Sequence, residues 1–245
     1  MNILILNGSP KKRGGASKYF SGVLKRMLIG CDSTEYSIRN TQDYRDVFKC
    51  METSDAIVLS VPIYVDGIPS HVLRFLKEAE QFCREHACHS RLYVVSNSGF
   101  IEGRHNQPHL EQYRCWCERA GIVWGGGLGI GGGVMLNVLF YVLLAFIGLF
   151  LAQSLYNIVS GEAAINSAMM IGFARSIFVL LFLSAGMLVY LWKLSRAVKH
   201  GKSIKNLYTR VMLPSFLFLI VSDIFMLLSA LLKGKLIFSL YKKDS

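Results

Sequence analysis

NILILNGSPKKRGGAS, residues 2–17, is the stretch that decides the fold of this chain. Its start, Asn2–Leu6, is an apolar run without alternation, which is typical of a strand buried on both faces of a parallel sheet. The run breaks at Gly8–Pro10, passes through a basic glycine-rich loop, and gives way to apolar residues at helical spacing from Tyr19 to Leu28. The stretch therefore predicts a strand, a loop and the N-terminus of a helix in succession.

This arrangement favours the binding of a phosphate group, because backbone N–H groups and the positive end of the helix dipole point at an anion there. Ser9 and Ser17 add hydroxyl donors, and Lys11–Arg13 add positive charge. The loop is not a nucleoside-triphosphate loop, since no Lys-Ser or Lys-Thr follows Gly14, and the G-x-G-x-x-G dinucleotide pattern is absent. An ordinary strand-to-helix turn with a basic surface remains the alternative.

The composition divides the 245 residues into two parts. Residues 1–133 hold 16 Lys and Arg against 13 Asp and Glu, a net +3, whereas residues 134–245 hold 11 against 3, a net +8. The second part contains three long stretches with at most one charge each, and a bilayer core needs about 20 apolar residues per helix. These stretches are residues 134–156, 171–192 and 211–232. We therefore predict a soluble domain at 1–133 and a region of three transmembrane helices at 134–245.

The six cysteines all lie in residues 1–133, and no secretory signal precedes them. Reduced thiols in the cytosol are therefore favoured over a disulfide framework. Cys115 and Cys117 have the spacing of a metal pair, but no second pair has zinc-finger spacing, so we predict packing and no metal site.

Strands and helices alternate along residues 1–133, which predicts a doubly wound parallel sheet with right-handed crossovers. The five predicted strands are the opening one, 34–39, 55–61, 92–95 and 122–124, the last followed by a glycine-rich run to Gly133. Five strands fit the order 2-1-3-4-5, which binds its ligand at the carboxyl ends of the strands, between strands 1 and 3.

Three loops would converge at that edge: Ser9–Ser17, Pro62–Gly67 and Asn97–Glu102. The first is basic and rich in backbone amides, which suits a phosphate. The other two carry Tyr64 and Phe100 and expose backbone at a glycine, which suits a flat heterocycle. Together they match flavin mononucleotide, FMN.

Four motifs also follow the pattern of a known family: Asn7–Pro10, Asp55–Val58 with Pro62 and Tyr64, the tract from residue 99 to 121, and the glycine run 127–133. On these residues the chain resembles the flavodoxin-like NAD(P)H-dependent FMN reductases. The resemblance implies a flavodoxin-like fold, a bound FMN, and NAD(P)H as the electron donor.

The resemblance further implies two groups of FMN-binding residues. Those for the phosphate are Ser9, Lys11, Gly15, Ala16 and Ser17, and those for the isoalloxazine ring are Pro62, Ile63, Tyr64, Val65, Asn97, Ser98 and Gly99. The chain departs from the family where Lys11 replaces an arginine and Gly15-Ala16 replaces an Asn-Thr pair. Losing the threonine hydroxyl could weaken FMN binding by about 1–3 kcal/mol.

No catalytic residue is assigned, because a flavin itself carries the hydride chemistry. His105 and His109 follow the third loop and could face a substrate, although a solvated helix start is the favoured interpretation. No histidine lies in a predicted membrane segment, which argues against a bis-histidine haem.

The stretch 193–210 is predicted to be a basic cytoplasmic loop, because it holds six cations and no acid, and positive loops stay in the cytoplasm. The N-terminal domain would then be cytoplasmic in a multi-pass protein of the cell membrane, held against anionic lipid. The basic tail would lie outside, so the third segment is either an exception to this rule or re-entrant.

Three function classes stay open at this point. The first is a membrane-anchored FMN oxidoreductase that passes electrons from NAD(P)H to a small-molecule acceptor; a quinone is our hypothesis, since the first membrane helix starts almost directly after the glycine run. The second is an electron carrier, disfavoured by the net +3 of residues 1–133. The third is a binding or sensing module that has lost FMN. A homo-oligomer is left open, and no nucleic-acid partner is expected.

Overall fold

A computed structural model describes residues 1–11, 15–39, 44–64, 67–86, 88–133, 135–161 and 163–232. The chain forms two compact units. The first, called the α/β unit below, comprises Met1–Asn137 and Ser184–Val211. The second, called the helical unit, comprises Val138–Leu183 and, among the described residues that follow, 212–232.

The α/β unit is built on one six-stranded parallel sheet with the order β2-β1-β3-β4-β5-β6. The strands are β1 Asn2–Asn7, β2 Asp32–Ser37, β3 Ala56–Pro62, β4 Arg91–Asn97, β5 Val123–Gly131 and β6 Leu207–Arg210. The first five have the predicted order, so the prediction of a parallel sheet with the order 2-1-3-4-5 is confirmed. The prediction of five strands is wrong, because β6 extends the sheet beyond β5.

Four helices follow β1, β2, β3 and β4 in turn, and three long helices come after β5. They are α1 Ala16–Met27, α2 Arg45–Thr53, α3 Ser70–His86, α4 Gln107–Ala120, α5 Met135–Val159, α6 Ser167–Lys199 and α7 Ser215–Leu232, with a short 3-10 helix at Gly103–Asn106 before α4. The central strands β1, β3 and β4 are buried nearly throughout, as their unbroken apolar runs predict. The helices bury apolar stripes on them, with side chains such as Phe20, Phe75 and Tyr113 at most 1% exposed.

The fifth strand, predicted over residues 122–124, continues through the glycine-rich run to Gly131, and this run forms most of β5. The glycines are needed because neighbours approach the strand too closely for any side chain. A Cβ on Gly125 would lie 2.6 Å from the ring of Tyr93, and one on Gly131 would lie 2.2 Å from the backbone oxygen of Ile101. The glycines of β5 are therefore explained by the close packing of neighbouring atoms on this strand.

The predicted basic loop 193–210 is instead the last turns of α6 followed by β6. β6 pairs in parallel with β5 from Leu128↔Leu207 to Gly131↔Arg210. Consequently the α/β unit does not end at residue 133, the predicted domain boundary. A four-residue strand is too short to show a period of its own, which explains why the sequence pattern missed it.

The last turns of α6 are held firmly on the sheet. Leu191, Leu194 and Val198 are fully buried. The hydroxyl of Tyr93 donates to the carbonyl oxygens of Ala197 (3.2 Å) and Lys202 (3.0 Å). Burial raises the pKa of Tyr93 to about 12, so its hydroxyl stays protonated as a donor. The end of α6 is thus part of the core of the α/β unit.

Within the described residues, two helices are long and apolar enough to cross a membrane, the stretch Val138–Val159 of α5 and the whole of α6. The predicted segments 134–156 and 171–192 fall on them. The third predicted segment, 211–232, becomes a helix only after Pro214, and its apolar stretch Ser215–Leu228 is shorter than a typical span. Of the charges inside these segments, Arg175 and Asp223 are both exposed, and no ion pair joins them.

Candidate functional site

One cavity lies at the carboxyl ends of β1, β3 and β4, where the sheet order reverses. Its volume is about 120 Å³. Eleven of the twelve predicted site residues line it, and Val65, the twelfth, lies outside the described residues. The lining residues are Ser9, Lys11, Gly15, Ala16, Ser17, Pro62, Ile63, Tyr64, Asn97, Ser98, Gly99 and, not predicted, Gly133. The structure therefore brings the predicted residues together at the predicted edge.

The first loop is held by hydrogen bonds between close sequence neighbours. The N–H of Ser9 donates to Oδ1 of Asn7 (3.0 Å), and the N–H of Lys11 donates to Oγ of Ser9 (3.3 Å). The N–H of Gly8 donates to the carbonyl of Ser60 on β3 (2.8 Å). Asparagine and serine side chains form such turns readily, since they can accept from the backbone two residues on. Ser9 is consequently fixed beside the cavity, and its exposed neighbour Lys11 adds a positive charge.

The N-terminus of α1 also faces the cavity. Gly15 is the N-cap, and the first helical hydrogen bond runs from the N–H of Tyr19 to its carbonyl (3.2 Å). The N–H groups of residues 16–18 therefore have no acceptor inside the helix, and a glycine cap has no side chain to satisfy them. These amides, at the positive end of the helix dipole, suit an anion.

The hydroxyls of Ser9 and Ser17 each accept one hydrogen bond. Ser9 accepts from Lys11, and Ser17 accepts from Nδ2 of Asn97 (2.9 Å). Neither hydroxyl donates to any acceptor among the described residues. Two oriented hydroxyl donors thus join the amides of α1 in the same cavity.

Gly15 makes this arrangement possible. A Cβ at this position would lie 2.5 Å from Oγ of Ser9, closer than a carbon and an oxygen can approach. A larger residue would displace the Ser9 hydroxyl from the cavity. The glycine that departs from the family pattern therefore has a local physical reason in this chain.

Asn97 ties the three walls of the cavity together. Its Nδ2 donates to Ser17 on α1 and to the carbonyl of Val61 on β3 (3.1 Å), and its own carbonyl accepts from the N–H of Ile63 (2.9 Å). Asn97 is 5% exposed. Because both amide hydrogens are engaged, its side chain holds the walls in place and offers no further donor to a ligand.

Two exposed aromatic rings belong to the second and third loops. Tyr64 lines the cavity, is 43% exposed, and is fixed by a backbone bridge to Gly67 with N···O distances of 3.3 and 3.1 Å. Phe100 follows Gly99, is 50% exposed, and stacks on His105 with ring centroids 5.0 Å apart. Exposed rings of this kind can stack on a flat heterocycle.

His109 does not lie at a solvated helix start, because its side chain is buried. It is 1% exposed, and burial lowers its pKa to about 4, so the imidazole is neutral at physiological pH. Its Nδ1 lies 2.7 Å from Oγ of Ser96, and its Nε2 lies 3.4 Å from the hydroxyl of Tyr113. Both ring nitrogens therefore have partners inside the protein.

Asn106 extends this network to the cavity wall. Its Oδ1 lies 2.7 Å from Oγ of Ser96, and its Nδ2 donates to Oγ of Ser98 (3.3 Å) and the carbonyl of Gly103 (3.0 Å). All bonds are satisfied when Tyr113 donates to His109, His109 to Ser96, and Ser96 to Asn106. Since Ser98 lines the cavity, the buried network supports the third loop from behind.

Two residues near the cavity escaped the sequence analysis. Nε2 of His71 donates to the carbonyl of Gly8 (3.0 Å), which ties α3 to the first loop. Gly133 donates its N–H to the carbonyl of Ser98 (2.8 Å). No sequence pattern identifies a single histidine at the start of a helix as a site residue. Gly133, in contrast, is the last residue of the glycine-rich run, and this run was a signal that could have identified it.

No protein-family model matches this chain, and no curated protein sequence is similar to it. Solved structures do resemble it. The Trp repressor binding protein from Bacillus subtilis is 18% identical over 53% of this chain and 84% of its own, with a TM-score of 0.44. An NADPH-quinone reductase from P. pentosaceus is 13% identical over 54% and 86%, with a TM-score of 0.46. An NAD(P)H:quinone oxidoreductase from Methanothermobacter marburgensis is 13% identical over 54% and 87%, with a TM-score of 0.44. At such low identities and TM-scores, these similarities carry no argument about activity.

Proposed function

We propose that this chain is a membrane-anchored flavin oxidoreductase that binds FMN in the cavity and transfers electrons from NAD(P)H to a small-molecule acceptor. The observation that carries the proposal is the convergence of the Ser9 and Ser17 hydroxyls with the amides at the start of α1, none of which donates to an acceptor among the described residues. Such a donor set is complementary to a phosphate monoester.

The residues present fit FMN in distinct roles. Ser9, Ser17 and the amides of residues 16–18 would donate to the phosphate, and Lys11 would balance its charge. Pro62, Ile63, Tyr64, Ser98 and Gly99 would border the ring, whereas Asn97 would position Ser17. The bound flavin supplies hydride chemistry, so the protein has to orient its ligands and shield the reaction from water.

The volume of the cavity limits how much of FMN it can enclose. At about 120 Å³ it is smaller than the roughly 300–1,000 Å³ of a typical ligand pocket. It suits the phosphate end of FMN, with the ring against the exposed Tyr64. The same small volume favours the second candidate, a module that binds a phosphate-bearing ligand and performs no redox chemistry.

The first experiment measures FMN binding to the full-length protein in detergent. Ser9→Ala with Ser17→Ala removes both hydroxyl donors, and we expect the Kd for FMN to rise at least about tenfold. Ser21→Ala is the matched control, because its hydroxyl donates within α1 to the carbonyl of Lys18 and does not line the cavity. Unchanged affinity in the double variant would overturn the phosphate assignment. No flavin absorbance and no FMN binding in the wild type would favour the second candidate.

A quinone dissolved in the membrane is our proposal for the acceptor. It rests on the two helices that are long and apolar enough to cross a bilayer and on the position of α5, which begins at Met135, two residues after the cavity residue Gly133. In the balanced reaction, NAD(P)H and one proton reduce the quinone to the quinol.

The acceptor is tested by comparing two quinones at equal FMN occupancy. NAD(P)H oxidation should be faster with a long-tailed quinone in liposomes than with a short, water-soluble quinone in detergent. Equal or faster turnover with the soluble quinone would show that the helices only localise the enzyme.

A further inference from the structure

A second cleft lies beside the cavity in the α/β unit, along the same loop. Gly99 lines the cavity, and Glu102, three residues later, lines the cleft together with Arg104, His105 and the first turn of α4. The volume of the cleft is about 790 Å³, within the roughly 300–1,000 Å³ of small-molecule sites. A ligand in this cleft would therefore lie close to one in the cavity.

Among the described residues, the charges of the cleft leave one cation, Arg104, without a carboxylate partner. Glu102 is paired with Arg210, and Glu111 is paired with Arg114, whose Nε lies 2.6 Å from its Oε2. No carboxylate of the described chain lies within ion-pair distance of Arg104, which is exposed. The guanidinium of Arg104 is thus available to an anion, and its planar fork suits a phosphate.

The backbone that carries Arg104 is rigid although its side chain is free. Arg104 lies in the 3-10 helix Gly103–Asn106, and Asn106 is fully buried with Nδ2 bonds to Gly103 and Ile130. Gly103 packs so closely on β6 that a Cβ would lie 2.3 Å from the carbonyl oxygen of Thr209. A fixed backbone lowers the entropic cost of placing a charge against a ligand.

We propose that Arg104 binds the 2′-phosphate of NADPH, so that the protein prefers NADPH to NADH. The adenosine would occupy the cleft, with the stacked rings of Phe100 and His105 as a flat surface for the adenine. This inference rests on the proposed function, since it assigns the electron donor of that reaction. The two nucleotides differ only in the 2′-phosphate, which makes a single unpaired guanidinium sufficient to distinguish them.

Direct binding tests the proposal without any redox step. Adenosine 2′,5′-bisphosphate and 5′-AMP, which lacks the 2′-phosphate, are titrated by calorimetry into the full-length protein in detergent. We expect the wild type to prefer the bisphosphate by roughly three- to tenfold at low salt, as one charge-assisted bond at an exposed site provides. Arg104→Gln should abolish the preference and Arg104→Lys should retain part of it. Higher salt should weaken it.

Arg74→Gln is the matched control, because Arg74 is an exposed arginine of the same unit that lies on α3 and does not line the cleft. It should leave the preference unchanged. Equal affinities of the wild type for the two probes would overturn the proposal, and so would an equal loss in Arg74→Gln, since both would mean that Arg104 does not recognise the phosphate.

At a fixed neutral acceptor, the NADPH/NADH ratio of kcat/KM should fall in Arg104→Gln by the same factor. An absence of bound flavin alongside a preserved binding preference would reject the proposed function and leave this site standing.

Discussion

The first loop of the cavity and the β5–β6 edge of the sheet belong to the same unit but are built differently. The loop is closed by side chains that accept from the backbone two residues further on, as Oδ1 of Asn7 does from the N–H of Ser9 and Oγ of Ser9 from the N–H of Lys11. The edge joins residues far apart in sequence, as in the bond from the N–H of Gly127 to Oδ1 of Asn206. The structure of the loop depends on the side chains of Asn7 and Ser9. The packing of the edge depends on the glycines of β5, where a side chain would clash with its neighbours.

This difference predicts separate consequences for mutation. Changes in the first loop should alter ligand affinity and leave stability nearly intact, because its side-chain bonds join residues only two positions apart. Changes at the β5–β6 edge should lower stability, because the backbones of β5, β6 and the 3-10 helix Gly103–Asn106 pack directly against one another. The predictions below concern the edge and the buried network behind the third loop, in order of decreasing effect.

Gly131→Ala should give the largest effect. Its Cβ would lie 2.2 Å from the carbonyl oxygen of Ile101 and 2.7 Å from the carbonyl carbon of Glu102, and backbone atoms cannot rotate away. We expect a loss of about 3 kcal/mol or more, which corresponds to a thermal midpoint lower by roughly 6–12 °C. Thermal unfolding of the full-length protein in detergent, followed by circular dichroism, provides the measurement.

Gly22→Ala is the control for that substitution, because no atom lies within 4 Å of a Cβ at this position of α1. Replacing a glycine inside a helix should stabilise the protein by about 0.5–1 kcal/mol. If Gly131→Ala melts at the wild-type temperature, the close packing of β5 on the third loop is not a requirement of the fold.

The second prediction concerns the buried network behind the third loop. Burial lowers the pKa of His109 from its ordinary value of 6.5 to about 4. Between these values the unfolded chain binds a proton that the folded chain does not, so this contribution is complete above pH 6.5 and is lost as the pH falls towards 4. At pH 5 the loss should be about 2 kcal/mol relative to pH 8.

His109→Asn removes the titrating group and keeps a polar side chain facing Ser96. The variant should be less stable than the wild type at pH 8, but its thermal midpoint should fall less between pH 8 and pH 5. Parallel pH profiles for the two proteins would mean that protonation of His109 does not limit stability in acid.

The same contrast between local and long-range contacts explains which features of the fold and of the cavity could be predicted from the sequence. The order of the first five strands and the residues of the cavity were accessible, because unbroken apolar runs, turn residues and a helix start are local signals. Asn97 was assigned to the right loop, but its bonds to Ser17 and Val61 depend on the assembled sheet. β6 could not be predicted, since its pairing partner lies about 80 residues earlier and no period appears in four residues. The burial of His109 was missed for a similar reason, because its partners Ser96 and Tyr113 come from a strand and a helix that meet only in the fold.

Asn206→Ala, at the β5–β6 edge, should give the smallest of the three effects. Oδ1 of Asn206 accepts from the N–H of Gly127 (3.0 Å), just before the β5–β6 pairing begins at Leu128. Truncation leaves that N–H on a buried residue without its partner, which costs about 1–3 kcal/mol. Water can reach the half-exposed position 206 and satisfy part of the loss, so we expect the lower end of this range.

Arg210→Gln is the comparison: its ion pair with Glu102 is exposed, and exposed pairs contribute about 0–1 kcal/mol. A larger destabilisation in Arg210→Gln than in Asn206→Ala, measured by thermal unfolding, would show that charge rather than backbone pairing holds β6 on the sheet.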